Sequence, residues 1–268
     1  MVMPDADIEA SLADAERARE DHQVVAVMGC GIGWYAALAF ARVLSLADAG
    51  RLVRKLVAVS AEQESAASHL VFPLTDAAWR PDARLRSDLE AAIAAGDGEV
   101  RLSVDLGGYA MVDGSPAGIE TLIAALPPVR AGDRHYPLRL SSHAVTAPST
   151  AGTEDRALNE LAEIDWQTPS LTVIDGRGVR HTPWSADPAA LRDYTLGARR
   201  TETDDVASAV RVALRDQAPD AIVVAGRGGI LGAVCGQLIV AEGYHAIRSR
   251  HAFVEAQRRR PIVLSMRH

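Results

Sequence analysis

The chain reads as an α/β protein: a parallel-sheet core with a small α+β subdomain inserted in it. Three features predict this. First, the apolar run Val24-Val25-Ala26-Val27-Met28 passes into Gly29-Cys30-Gly31-Ile32-Gly33 and then into Trp34-Tyr35-Ala36-Ala37-Leu38-Ala39-Phe40-Ala41, a strand, a glycine turn and a helix without a gap. Second, beyond Tyr136 short apolar runs alternate with helical patterns. Third, residues 64–134 change character, packing strand, strand and helix into a short span. A length of 268 residues suffices for one sizeable domain with a smaller appendage. With 48% hydrophobic residues but only 4% aromatics, the interior is built from Ala, Val, Leu and Ile, which suits helix-flanked parallel sheet.

In order along the chain, a helix is expected over 5–20, where Ile8, Leu12 and Ala15 recur at helical spacing. The strand, turn and helix of 24–41 follow. Ser45 then opens a helix over 45–60, as an N-cap before Leu46 with Asp48 in the first turn. The inserted part carries a helix over 84–95, strands over 99–104 and 109–112, a turn at Asp113-Gly114-Ser115-Pro116 and a helix over 117–126. The core resumes with a strand at 138–140, a helix at 153–161, a strand at 171–174, a helix at 206–215 and a strand at 221–224. Gly226-Arg227-Gly228-Gly229 turns into an apolar helix over 230–241, and a short helix at 252–257 precedes the apolar strand 261–266. This assigns 1–63 and 135–268 to the core and 64–134 to the subdomain.

A net charge of −7 argues against nucleic acid as a partner, since non-specific binding needs a basic face. The run Arg258-Arg259-Arg260 reads as a solvated helix end. Cys30 and Cys235 are too few for a disulfide framework and suit a reducing cytoplasm. The acidic start lacks a basic-plus-apolar signal, and no apolar run approaches the roughly 18–20 residues of a membrane span, so a cytoplasmic protein without membrane contact is expected. His69, His135 and His181 lack metal-ligand spacing and are expected at the surface, with no metal site.

The turn at Gly29–Gly33 has the form of a nucleophile elbow, G-x-S-x-G, in which flanking glycines let chains approach and hold the central side chain over the sheet. N–H groups at the helix start then face a developing oxyanion. Here the centre is Gly31, so the exposed position carries no nucleophile. Cys30 is the nearest substitute, because a thiol at a helix N-terminus is acidified, although it stands one residue out of register. A dinucleotide fingerprint, G-x-G-x-x-G, starts at Gly29 and Gly31 but would need its third glycine at Trp34, and no acidic residue ends a following strand.

Together these residues resemble the malonyl-CoA:acyl carrier protein transacylase family. Gly29-Cys30-Gly31-Ile32-Gly33-Trp34-Tyr35-Ala36-Ala37-Leu38 is similar to the family's G-H-S-x-G-E-Y-A-A-L, and Val43-Leu44-Ser45-Leu46-Ala47-Asp48-Ala49 to its V-L-S-x-x-D-A. Asp105, Tyr109 and Val112-Asp113-Gly114-Ser115-Pro116 resemble N-x-x-x-Q-x-V-I-S-G, a motif of the family's ferredoxin-like subdomain. Ser142-His143 resembles the segment of the family's general-base histidine, and Ala225-Gly226-Arg227-Gly228-Gly229-Ile230-Leu231 resembles V-G-P-G-x-V-L.

The resemblance implies an acyltransferase core with a ferredoxin-like insertion, no tightly bound cofactor, and thioesters of coenzyme A or phosphopantetheine as ligands, with acyl carrier protein or acyl-CoA as partner. It implies that Gly29, Ile32, Gly33, Ser142, Gly226 and Gly228 line the thioester site and that His143 and Cys30 are the groups left for catalysis. Three departures bear on activity. Gly31 replaces the serine; Leu56, 25 positions on, stands where the family's malonate-binding arginine is expected; and the family's G-Q-G-x-Q strand has no counterpart before the elbow. The expectation is a thioester- or carrier-binding protein of fatty-acid or polyketide-type metabolism with acyl transfer impaired or lost. The alternatives are an active transferase or thioester hydrolase using Cys30 or His143, and a structural partner subunit. The missing strand is expected to be supplied by the C-terminal strand 261–266, or by a partner polypeptide.

Overall fold

The computed structural model describes residues 4–62, 68–140, 161, 163–226 and 230–266. Residues 153–160 of the expected helix 153–161, together with Ser142, His143 and Gly228, lie outside the described residues. Helix α1 (Pro4–Asp21) leads to a two-residue strand β1 (Ala26–Val27), the glycine turn and α2 (Gly33–Phe40), followed by α3 (Leu46–Glu62). Ser45 caps α3 as expected, its hydroxyl accepting from the Asp48 N–H at 3.0 Å and donating to the Asp48 carboxylate at 2.7 Å.

The next element, β2 (Ser68–Pro73), was not expected from the sequence. His69-Leu70-Val71-Phe72 is short, continuous and buried, so it shows no alternation to read. β2 is an inner strand of an antiparallel layer with α4 (Ala83–Ala95), β3 (Val100–Asp105), β4 (Tyr109–Gly114) and α5 (Pro116–Ala125). A small hairpin, β5 (Val129–Ala131) and β6 (Arg134–Tyr136), leads to β7 (Leu138–Leu140). The reading of 138–140 as a core strand is corrected: β7 pairs with β2, Val71 opposite Leu138. The order of this sheet is β10-β3-β4-β2-β7, where β10 (Asp204–Asp205) comes from far along the chain and pairs in parallel with β3. Asp82 and Ser115 cap α4 and α5, and Leu70, Phe72, Val112, Ile119 and Leu122 form the layer's own apolar interior.

In the main layer β1 pairs in parallel with β8 (Thr172–Ile174), Ala26 facing Thr172 and Val27 facing Val173, and β8 turns back into β9 (Arg180–His181). Parallel pairing sends the ends of β1 and β8 to one edge, so the Gly29–Gly33 turn and the Asp175-Gly176 turn are neighbours. The chain continues through α6 (Pro188–Asp193), a wide turn at Tyr194–Ala198, α7 (Arg199–Thr201), β10 and α8 (Val206–Val212). β11 (Ile222–Val224) precedes α9 (Leu231–Glu242) and α10 (Arg250–Arg259). The last strand, β12 (Val263–Ser265), pairs in parallel with β11, Ile222 facing Val263. Among the described residues no ladder joins β12 to β1. Arg258 pairs with Glu255 and Arg260 with Asp220 at the exposed end of α10.

Two apolar interiors flank the turn. Ile8, Trp34, Tyr35, Leu38, Leu52 and Leu56 join Val173 and Leu191 on one side. Val210, Val224, Val234, Leu238, Phe253 and Val263 form the other, against which Met28 and Cys30 pack.

Candidate functional site

Close approach dictates the composition of the turn. A Cβ on Gly29 would lie 2.2 Å from the Gly33 carbonyl carbon, so no side chain fits there. Gly31 differs: its φ is +57°, in the left-handed region, and no described residue comes within 4 Å of a Cβ built there. The position is therefore a projecting one, with open space where a side chain would stand. Gly33 N–H donates to Cys30 O at 2.9 Å and Trp34 N–H to Gly31 O at 3.2 Å, bending the chain into α2. Ile32 begins α2 without a side-chain cap and no acidic residue occupies its first turn, which leaves the positive end of the helix uncompensated by carboxylates of its own.

A buried arginine holds the turn from the far side. Arg199 Nη2 donates to Gly31 O at 3.0 Å and to Asp204 Oδ2 at 3.1 Å. Both side chains of that ion pair are nearly sealed, at 2% and 4% exposure. The guanidinium carbon lies 5.8 Å from the Trp34 ring centre and 5.6 Å from that of Tyr35, within cation–π range. Trp34 is fixed in turn: its indole N–H donates to Thr195 Oγ1 at 3.0 Å, and its ring meets Tyr194 edge to face at 5.3 Å. The Tyr194 hydroxyl accepts from Gly176 N–H at 2.9 Å, which ties the β8 end into the same cluster. Arg199 Nε and Asp204 Oδ1 are buried without a hydrogen-bond partner among the described residues.

The electrostatics of this cluster bear on the nucleophile alternatives. Burial, reinforced by the Asp204 carboxylate and only partly offset by Arg199, pushes the Cys30 thiol up to about 12. The acidification expected for Cys30 at a helix start is thus reversed, because packing against the apolar interior outweighs the helix end. Burial likewise raises the Tyr35 phenol, which the neighbouring Arg199 and Arg200 pull down again in part. Asp204 is raised by burial despite its arginine partner.

Sequence reasoning misplaced two histidines. His69 and His181 were expected at the surface and are buried, at 1% and 6% exposure. His69 Nδ1 lies 2.6 Å from Asp113 Oδ1 inside the antiparallel layer, and His181 Nε2 lies 3.1 Å from Asp175 Oδ2. Asp175 also accepts from the N–H groups of Arg177 and Val179 and from the Arg177 guanidinium, so it staples its turn. His135 is exposed. Gly226 has φ +81° and donates to Asp14 Oδ2 of α1 at 3.0 Å, and a Cβ there would meet Ser11 Oγ at 2.4 Å. Leu56 is 1% exposed, packed with Trp34 and Tyr35. The sequence reading passed over Arg199, Arg200 and Asp204; they stand in a polar, charged run, Arg199-Arg200-Thr201-Glu202-Thr203-Asp204-Asp205, in which no local pattern marks burial.

No protein-family model matches the sequence, and no curated protein is similar to it. The structure does match solved ones. An acyl-carrier-protein S-malonyltransferase from Burkholderia pseudomallei aligns with TM-score 0.66 at 19% identity, over 94% of this chain and 79% of that one. FabD from Acinetobacter baumannii aligns with TM-score 0.67 at 20% identity, over 96% and 79%. The acyltransferase domain of module 8 of the salinomycin polyketide synthase gives TM-score 0.70 at 21% identity, over 98% of this chain and 56% of that one. With its glycine turn, its parallel β1–β8 pair and its antiparallel insertion, the chain has the α/β fold of the malonyl-CoA:acyl carrier protein transacylases and polyketide synthase acyltransferase domains.

Proposed function

We propose that this protein binds an acyl thioester, carried by coenzyme A or by the phosphopantetheine of an acyl carrier protein, over the Gly31 turn, and does not pass the acyl group through residue 31. One observation carries the reading: the projecting position of the turn has the backbone conformation and the free space of a nucleophile site, but no side chain. Acyl transfer through an enzyme ester needs an oxygen or sulfur there to attack the thioester carbonyl. Without it, the Ile32 N–H, which makes none of the turn's own hydrogen bonds among the described residues, can still donate to the carbonyl oxygen, and the volume over Gly31 accommodates the thioester itself. His143, by resemblance the base of this site, would then orient the thioester or a water.

The Cys30 hydrolase alternative is disfavoured by the raised thiol, which leaves almost no thiolate near neutral pH. Intact-protein mass spectrometry after incubation with malonyl-CoA, on the parent and on Gly31→Ser, tests the reading. Binding without a covalent adduct in the parent is expected, and an adduct of the parent at Cys30 would overturn it. An acyl-enzyme in the serine variant alone would show that the remaining site still activates a thioester.

A further inference from the structure

The carbonyl of Gly31 is doubly held. It accepts from Arg199 Nη2 at 3.0 Å and from the Trp34 N–H at 3.2 Å, which fills both of its lone pairs. The Gly31–Ile32 peptide is trans, so its N–H points opposite to that carbonyl, out of the start of α2. The turn's own bonds start instead from the N–H groups of Gly33, Trp34, Tyr35 and Ala36. Glycines at 29, 31 and 33 leave the backbone free to reverse this peptide, because glycine takes positive and negative φ about equally. The arginine opposes that reversal. Turning the carbonyl over would strand a guanidinium that keeps its charge, is 2% exposed and is tied through the same nitrogen to Asp204 Oδ2 at 3.1 Å. The rings of Trp34 and Tyr35, at 5.8 and 5.6 Å, hold the guanidinium against α2 itself. A cation bonded to a peptide carbonyl in a dry setting also polarises the peptide, which strengthens the N–H at its other end as a donor.

We infer that Arg199 is a positioning residue: through Gly31 O it fixes and polarises the Gly31–Ile32 peptide, so that the Ile32 N–H meets the carbonyl oxygen of a thioester bound over the turn. The inference rests on the thioester-binding reading above and adds the group that aims its backbone donor. Arg199 acts from behind the turn, through the backbone, and no covalent step is involved.

Calorimetric titration of the full chain compares acetyl-CoA with S-ethyl-coenzyme A, a thioether of similar size that lacks the carbonyl oxygen. The parent is expected to bind the thioester about 3–10-fold more tightly, the worth of one hydrogen bond. Arg199→Met combined with Asp204→Leu removes the cation without stranding a carboxylate, so this double variant should melt near the parent and serves where Arg199→Met alone does not fold. In the folded variant the preference should vanish while S-ethyl-coenzyme A binds within about twofold of the parent, and Arg199→Lys should keep part of the preference. A merely structural arginine would weaken both ligands alike; that result would overturn the inference, as would a preference that survives the double substitution. The infrared carbonyl stretch of acetyl-CoA, isotope-labelled at the carbonyl, gives a reading on the parent alone. It should lie lower when bound than in free solution, and an unshifted band would contradict a polarised donor. Equal affinities for thioester and thioether in the parent would overturn the inference and leave coenzyme binding intact. Binding of neither ligand by the parent would remove the thioester reading itself.

Discussion

Gly31 combines a left-handed backbone with open space among the described residues at a position that carries no side chain. A left-handed φ of +57° is easy for glycine and costs a side-chain-bearing residue about 1–2 kcal/mol, so Gly31→Ser should fold but lose about that much in a chemical-denaturation curve. Open space around the Cβ predicts no further loss from clash. Cys30 supplies a second residue-scale prediction. A thiol near 12 should be alkylated slowly at pH 7, with a rate that rises about tenfold per pH unit between pH 7 and 9. Because Asp204 raises this thiol, Asp204→Asn should speed alkylation at fixed pH, whereas an unchanged rate would contradict the coupling. Asp175 gives a pH prediction. Its pKa is lowered by hydrogen bonds from His181 and Arg177, which outweigh burial. The stabilisation it adds is therefore complete above the ordinary carboxylate pKa of about 3.9 and lost as pH falls through the folded value. Asp175→Asn should flatten the acid limb of a stability–pH curve.

At the scale of elements, the buried Arg199–Asp204 bridge joins α7 and β10 to the turn before α2. Removing one partner of such a pair strands the other, so Arg199→Met or Asp204→Asn alone should cost about 3–5 kcal/mol and the double variant less than the sum. The sequence made most elements legible and the bridge invisible. Helices over 4–21, 46–62 and 231–242 were readable from their apolar residues, and the second also from its cap at Ser45. Strand β2 was missed because a fully buried run carries no alternation, and the placement of β7 depends on pairing across distant sequence. In the site, the glycine turn was legible from spacing alone. The Arg199 contact to Gly31 spans 168 positions, which no local pattern encodes. The C-terminal strand, expected to fill the place of the family's first strand beside the elbow strand, pairs in parallel with β11, and among the described residues no ladder joins it to β1. Replacing Val263, 8% exposed and opposite Ile222, with Asp should destabilise the chain by several kcal/mol, about the cost of a buried unpaired carboxylate after relaxation.

At the scale of the whole molecule, the chain keeps the α/β fold of the transacylases with a glycine at the projecting position of its turn. The two apolar interiors and the antiparallel layer each have their own packing, so the fold does not depend on the chemistry of residue 31. What residue 31 governs is the volume over the turn. The decisive measurement is equilibrium binding of acetyl-CoA to the parent and to Gly31→Phe, whose ring would occupy that volume. Saturable binding by the parent and its loss in the folded phenylalanine variant is the predicted result. Equal binding by both proteins, or none by the parent, would contradict the account.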